Sequence, residues 1–202
     1  MNRARCIQIA RAAMARRKAH AAREKGYTFH HGLRTAGIAL RLRGQVSQTM
    51  EVSEKLLFLG GLFHDVGKGR EPHNHSGADA VVGLLGEELT GEEIEAVGRI
   101  IREHNQRKNS RRCWVASKIV QDADLLDHFG AHGVWLCLHY SANRDRTDAQ
   151  TLKYYNSTDH QAYQAKSRKN LNFEISRLSF DRRISLERQY MDRLAVEADG
   201  GL

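Results

Sequence analysis

The sequence predicts an all-α fold, one bundle of helices, and three observations carry that prediction. Proline occurs once in 202 residues, at Pro72, so nothing else in the chain breaks a helix by lacking an amide hydrogen. Alanine, leucine, arginine, glutamate and glutamine recur at helical spacing, whereas β-branched runs are scarce. Apolar residues return every three or four positions, as at Ile94, Val97 and Ile101, which gives a helix one buried stripe. The length suits a single domain over 1–202, with a core over about 27–142, a basic helix over 2–25, a polar excursion over 143–170 and a packing helix over 171–197.

The first predicted helix, Asn2 to Lys25, is alanine-rich and basic, with Arg3, Arg5, Arg11, Arg16, Arg17, Lys18, Arg23 and Lys25 against the single acid Glu24. A helix packed on the domain with a solvated basic face is preferred over an RNA-binding arm or an organelle-targeting segment. A secretory signal is not expected, because no continuous apolar run follows the basic residues. Gly26 ends this helix and Thr28 caps the next, Phe29 to about Arg43, where Leu33, Gly37 and Leu40 share a face and Gly37 permits close contact. A polar loop, Gly44 to Thr49, leads to a helix from about Val52 that ends near Gly67 and Gly69, with Gly60 and Gly61 as helix-packing positions. After a loop around Pro72, a helix from about Ser76 to Gly86 turns Ala80, Val81, Leu84 and Leu85 inward. Thr90 to Glu93 reads as a capping box, and the stripe that follows includes His104. The basic loop Asn105 to Arg112 forms a rim suited to an anion. Next come a helix over Trp114 to Phe129, with Val115, Ile119, Ala123 and Leu126 inward, and a short apolar helix over Ala131 to Ala142. Residues 143–170 carry Tyr154, Tyr155 and Tyr163 without regular period and read as a substrate-facing excursion or lid.

The chemistry centres on FLGGLFHDVGKG, Phe58 to Gly69, where an apolar segment delivers His64 and Asp65 into buried surroundings. A buried carboxylate is costly without a compensating charge, and a divalent cation accepts both imidazole nitrogen and carboxylate oxygen. Together with His31 in FHHGLRT and Asp124 in KIVQDADLLD, the doublet stands in the order H…HD…D. Over roughly Tyr27 to Phe129 the chain resembles the HD-domain metal-dependent phosphohydrolases. That resemblance implies an HD-domain-like helical bundle and one or two divalent ions per chain (Mn, Fe, Mg, Co or Zn) held by His31, His64, Asp65 and Asp124. His73 or His75, with His104, look like the extra histidines of members that hold a second metal. The family places Arg or Val three or four residues after its first ligand, which favours His31 over His30, since Arg34 follows at that spacing. His73 is preferred over His75 because it precedes Gly77 and Ala78 in the pattern H-x-x-x-G-A. Lys68 matches a position that faces the substrate phosphate, and Arg34 joins it there. Asp122 and Asp127 are the alternatives to Asp124, with Asp122 read as a carboxylate that steadies a ligand histidine. His128, His132 and His139 read as ordinary structural residues. The segment over 171–197 also looks like the C-terminal region of bacterial HD hydrolases of unassigned substrate.

Composition narrows the partners. The formal charge of +8 favours phosphate-bearing molecules. Cys6, Cys113 and Cys137 are scattered and lack CxxC spacing, which argues against disulfides and thiolate zinc and fits a reducing, cytoplasmic compartment. The longest apolar run falls far short of the ~20 residues that cross a bilayer, so no membrane partner is expected. No Walker loop, GxSxG elbow or HExxH motif occurs. The implied activity is hydrolysis of a phosphate ester or phosphoanhydride of a nucleotide or other small phosphorylated molecule by metal-activated water, with Asp65 and Lys68 as its catalytic residues. A di-iron oxygenase and a non-catalytic nucleotide- or RNA-binding module are the alternatives, nucleic acid being the less favoured partner.

Overall fold

The computed structural model describes residues 2–19, 21–46 and 52–202. Among them are ten α-helices and no strand: α1 (Arg3–Met14), α2 (Tyr27–Val46), α3 (Glu54–Phe63), α4 (His73–Leu85), α5 (Gly91–Glu103), α6 (Val115–Asp127), α7 (Ala131–Ala142), α8 (Asp148–Tyr155), α9 (Thr158–Lys169) and α10 (Glu174–Ala198), with a 3₁₀ segment over Arg107–Arg112. The polar loop expected over Gly44–Thr49 lies, from residue 47 onward, outside the described residues, as does position 20 of the expected N-terminal helix.

Helix α3 is the middle of the fold because, after its first turn, its sequence leaves it no wet face. Leu57, Phe58, Leu59, Leu62 and Phe63 are all buried, each removal of such a side chain from water contributing about 1.5–3 kcal/mol. Helices α2, α5 and α6 pack around it, with α4 against α5. One apolar cluster joins Phe29, Leu62, Phe63, Val81 and Ile101 to the buried face of α1, Cys6, Ala10 and Met14. A second joins Leu57, Ile100, Ile119, Leu126 and Phe129 to Phe180 of α10.

Close approach of α2 and α3 rests on glycine, though not on Gly37, around which a Cβ would meet nothing within 4 Å. The contact falls instead at Gly32, where a Cβ would overlap the carbonyl oxygen of Leu62, and at Gly61, where one would stand 2.8 Å from Ala36 Cα. Gly60 also packs tightly, its absent Cβ making room for the Ile100 side chain.

Several boundaries differ from the sequence reading for local reasons. The basic N-terminal segment is helical only through Met14, and the chain then turns so that the Gly26 amide donates to the Arg17 carbonyl at 3.0 Å. Gly26 adopts φ +83°, and α2 begins at Tyr27, so Thr28 lies inside the helix and does not cap it. The basic residues are used within the fold: Arg3 lies 4.0 Å over the Phe58 ring, Arg11 5.3 Å over Phe29, and Arg17 donates to the Val66 carbonyl at 2.6 Å. Helix α3 starts at Glu54 because Ser53 caps it, and α4 starts three residues early, at His73. The polar excursion is not irregular. Thr147 and Gln150 make a capping box that starts α8, and Ser157 caps α9. The expected capping box at Thr90 and Glu93 is present at the start of α5.

Candidate metal centre

Six of the side chains singled out from the sequence converge at the ends of α3 and α5 and along α2, α4 and α6. His31, on the buried face of α2, sits opposite His64 at the C-terminus of α3, their Nε2 atoms 3.1 Å apart. Asp124 of α6 brings Oδ1 to 3.1 Å from His31 Nε2 and 3.8 Å from His64 Nε2. Asp65 turns Oδ2 to 3.7 Å from His64 Nε2, and Oδ1 to 3.6 Å from His73 Nε2 and 3.7 Å from His104 Nε2. His73 and His104 in turn place their Nε2 atoms 3.3 Å apart. Three overlapping groups able to hold a metal result: His31, His64 and Asp65; His31, Asp124 and His128; and Asp65, His73 and His104, with ligand atoms in each within 4.8 Å of one another.

The four imidazoles share one device. His64 and His104 each donate Nδ1–H to the carbonyl three residues back, Gly61 at 2.8 Å and Ile101 at 2.6 Å. His31 donates Nδ1–H to Asp127 Oδ2 at 2.7 Å, and His73 to Glu71 Oε2 at 3.0 Å. With Nδ1 committed, the Nε2 atoms point inward. Burial pushes His64 down and takes His104 down to about 3, so both are neutral and ready to ligate. Burial also opposes charge on His31, but hydrogen bonds to Asp124 and Asp127 outweigh it and raise it to about 9. Against its own burial, Asp65 is held well below the usual carboxylate range by His64, His31, His104 and Lys68; Asp124 is held there by Arg107 and His31. Concentrated anionic oxygen beside fixed nitrogen lone pairs is a donor set that fits a divalent cation.

The remaining candidates divide. Lys68 Nζ lies 3.4 Å from Asp65 Oδ1 at the rim. His75 is exposed and stays outside, whereas His73 enters because α4 begins with it. His30 is exposed, as its position beside His31 requires. Arg34 does not point free into the centre: its Nε and Nη2 clasp Asp127 at 2.8 and 3.0 Å, which fixes the carboxylate that orients His31. Asp122 has no part in steadying a histidine. Its carboxylate accepts the Asn172 amide at 2.8 Å and the Phe173 amide at 3.1 Å, satisfying the start of α10. The histidine-steadying role belongs to Asp127. His128, read as structural, lies in the same neighbourhood, its ring 4.9 Å from that of His31 and its Nε2 accepting from the Tyr27 hydroxyl at 3.1 Å. Arg107, from the basic loop, bonds Asp124 Oδ2 through Nη2, and its buried Nε has no partner among the described residues.

Helical spacing held the missing signal. At about 100° per residue, Asp127 and His128 fall within roughly 60° of Asp124, while Asp122 falls on the opposite side of α6.

The family model described as the HD domain matches residues 28–128, half of the chain, and the protein belongs to that family. No curated protein matches it. Solved structures share its fold along nearly the whole length. An HD-superfamily hydrolase from Bacillus thuringiensis has a TM-score of 0.71 and 20% identity, over 97% of this chain and 96% of that one. Bacillus subtilis YpgQ in complex with ADP gives 0.64 and 18%, over 95% and 97%, and the Lin1889 protein from Listeria innocua 0.63 and 21%, over 98% of each chain.

Proposed function

We propose that the chain is a metal-dependent phosphohydrolase that cleaves a phosphate ester or phosphoanhydride of a nucleotide or another small phosphorylated molecule. One observation carries the reading: the two oxygens of Asp65 face different histidine sets, Oδ2 toward His64 and Oδ1 toward His73 and His104. His31, His64, Asp65 and Asp124 would hold one divalent ion; Asp65, His73 and His104 would hold a second. When bound, such ions supply Lewis acidity, drawing the pKa of water toward neutrality and offsetting charge on phosphoryl oxygens.

The chain's own residues do the positioning. Asp127 and the Gly61 and Ile101 carbonyls hold three imidazoles in their ligating tautomer, so no ligand has to reorient. Asp65 stays ionised at neutral pH, being held well below the usual range by the imidazoles around it. Lys68 at one rim and Arg107 at the other put positive charge where phosphoryl oxygens would lie, the role that electrostatic preorganisation plays in phosphoryl transfer. No side chain is required as nucleophile. The ADP held by YpgQ, a protein of the same fold, supports a nucleotide as the substrate class.

The test is a panel of nucleotides and phosphate esters offered to chelator-treated protein with and without Mn²⁺. Metal-dependent release of phosphate or pyrophosphate is expected, falling at least a hundredfold in Asp65→Asn. Hydrolysis indifferent to that substitution would refute the reading. Bound iron with oxygen consumption and no phosphate release would transfer the site to the oxygenase class, and salt-sensitive RNA binding that survives Asp65→Ala would favour the binding module.

A further inference from the structure

Beside the metal centre lies a cavity of about 240 Å³, walled mainly by residues that follow the family-matched segment. Phe129 and Tyr163 stack with centroids 5.6 Å apart, and Tyr140 and Tyr154 stack at 5.1 Å. The Tyr163 ring is half exposed, which leaves aromatic surface facing the opening. The space is smaller than the roughly 300–1,000 Å³ of a pocket for a whole drug-sized ligand, and suits one flat ring system.

Two polar groups break this aromatic lining. Glu187 of α10 is only 3% exposed, yet it lines the cavity. Its Oε1 accepts the Gly130 amide at 2.7 Å, reaching it past Gly133, whose absent side chain leaves room for that oxygen. Its Oε2 has no partner among the described residues. His160 of α9 also lines the cavity. Gln164 Nε2 donates to its Nε2 at 3.2 Å, which puts the ring proton on Nδ1, and that atom is buried without a partner among the described residues. One acceptor and one donor, both unspent, thus stand among stacking surfaces. A buried polar atom left unmatched is costly, so His160 Nδ1 marks a place where a ligand group fits, and Glu187 Oε2 offers an acceptor on the same lining.

The cavity adjoins the metal centre at His128, which lines it and stands with Nδ1 3.8 Å from Asp124 Oδ1. Arg23, also on its lining, adds positive charge on the same side. Taking the phosphohydrolase reading as its basis, we infer that this cavity is the nucleobase subsite: the base stacks on Tyr163, Tyr140 and Tyr154, and Glu187 Oε2 accepts a base N–H, while the phosphates extend past His128 to the metal ligands. Aromatic platforms accept any base by its π-face, whereas a buried carboxyl reads the hydrogen-bonding edge. Selectivity among phosphorylated substrates is accordingly set by α7 to α10, outside the metal-binding helices.

Nucleosides carry the base without the phosphate, so they test the subsite apart from hydrolysis. Adenosine, guanosine, cytidine and uridine are titrated at pH 8.5, where the Glu187 carboxyl is ionised, into the chelator-treated protein, with ribose as the base-free control, and followed by tyrosine fluorescence and calorimetry. Saturable binding of at least one nucleoside, and none of ribose, is expected. Glu187→Gln keeps an oxygen for the Gly130 amide and so turns its NH₂ toward the base, donor against donor; at least tenfold weaker nucleoside binding is expected with the circular dichroism unchanged. Tyr163→Leu, which preserves apolar cover over Phe129, is expected to weaken binding about tenfold. A Glu187 that merely caps α7 would leave nucleoside affinity unmoved in Glu187→Gln, and that result, or equal binding of ribose, or no binding of any nucleoside, would overturn the inference. Phosphate release without nucleoside binding would sink the subsite and leave the phosphohydrolase standing. Nucleoside binding that obeys both substitutions, with no phosphate release, would do the reverse.

Discussion

Alanine at position 61 should damage the metal centre through packing alone. A Cβ there would stand 2.8 Å from Ala36 Cα and 2.9 Å from Ala36 N, both backbone atoms of α2, where ordinary contact begins near 3.4 Å. Helices α2 and α3 must therefore part by about half an ångström, since backbone cannot swing aside as a side chain does. His31 rides on α2 and His64 on the end of α3, so their 3.1 Å Nε2 separation widens with it. Metal–ligand distances tolerate only about ±0.2 Å, so the shift exceeds what a site absorbs without loss. Gly61→Ala gains about 1 kcal/mol of helix propensity and loses about 1–3 kcal/mol to overpacking, for a net change between neutral and about −2 kcal/mol. Gly37→Ala, in the same α2 with nothing within 4 Å, keeps the propensity gain alone and should melt about 2–4 °C higher. Calorimetric titration with Mn²⁺, alongside thermal melts of the chelated proteins, separates the two. At least tenfold weaker metal binding is expected for Gly61→Ala and none for Gly37→Ala. Full affinity in Gly61→Ala together with a raised melting temperature would refute the argument that glycine sets the ligand spacing.

Asp127→Asn removes the ionised acceptor shared by His31 and Arg34 and should weaken metal binding about 10–100-fold without removing a ligand, measured by the same titration. Asp122→Ala strips the start of α10 of its acceptor and should cost about 1–3 kcal/mol in thermal stability while leaving metal affinity within about twofold. Burial raises the Glu187 carboxyl from 4.5 to about 7, against the opposing Gly130 amide and Arg183, while Cys137 of α7 and Tyr155 of α8 also lie within its field. The folded protein keeps a proton there that the unfolded chain sheds, so this contribution is complete below about pH 4.5 and is lost as pH rises through 7, on the order of 3 kcal/mol in all. Denaturant midpoints over that range should fall less with pH in Glu187→Gln than in the wild type; identical slopes would contradict the assignment.

The sequence made the candidate metal-holding cluster legible because His64 and Asp65 sit at the end of an apolar run and the other candidates recur in order around them. It also exposed α5, where Thr90, Glu93 and a regular stripe agree. What it hid was orientation within a turn. Asp122, Asp124 and Asp127 are the same residue type in six positions, and only the helical wheel divides them. Helices α8 and α9 escaped notice because they bury so little, Thr151 and Tyr155 in one and Ser167 in the other, that no apolar stripe emerges, although Thr147 with Gln150 announced the first of them. Gly37 and Gly61 look alike in sequence; which one meets a neighbour depends on where α2 crosses α3.

Helix α6 thus serves three masters within two turns: Asp122 fastens the last helix, Asp124 faces the histidines, and Asp127 braces His31. Changes at any of the three would lower the signal in a screen that records turnover alone, yet for unrelated reasons. Melting point, metal content and turnover, read side by side, would sort a loosened scaffold from an emptied centre and an emptied centre from a misaligned one.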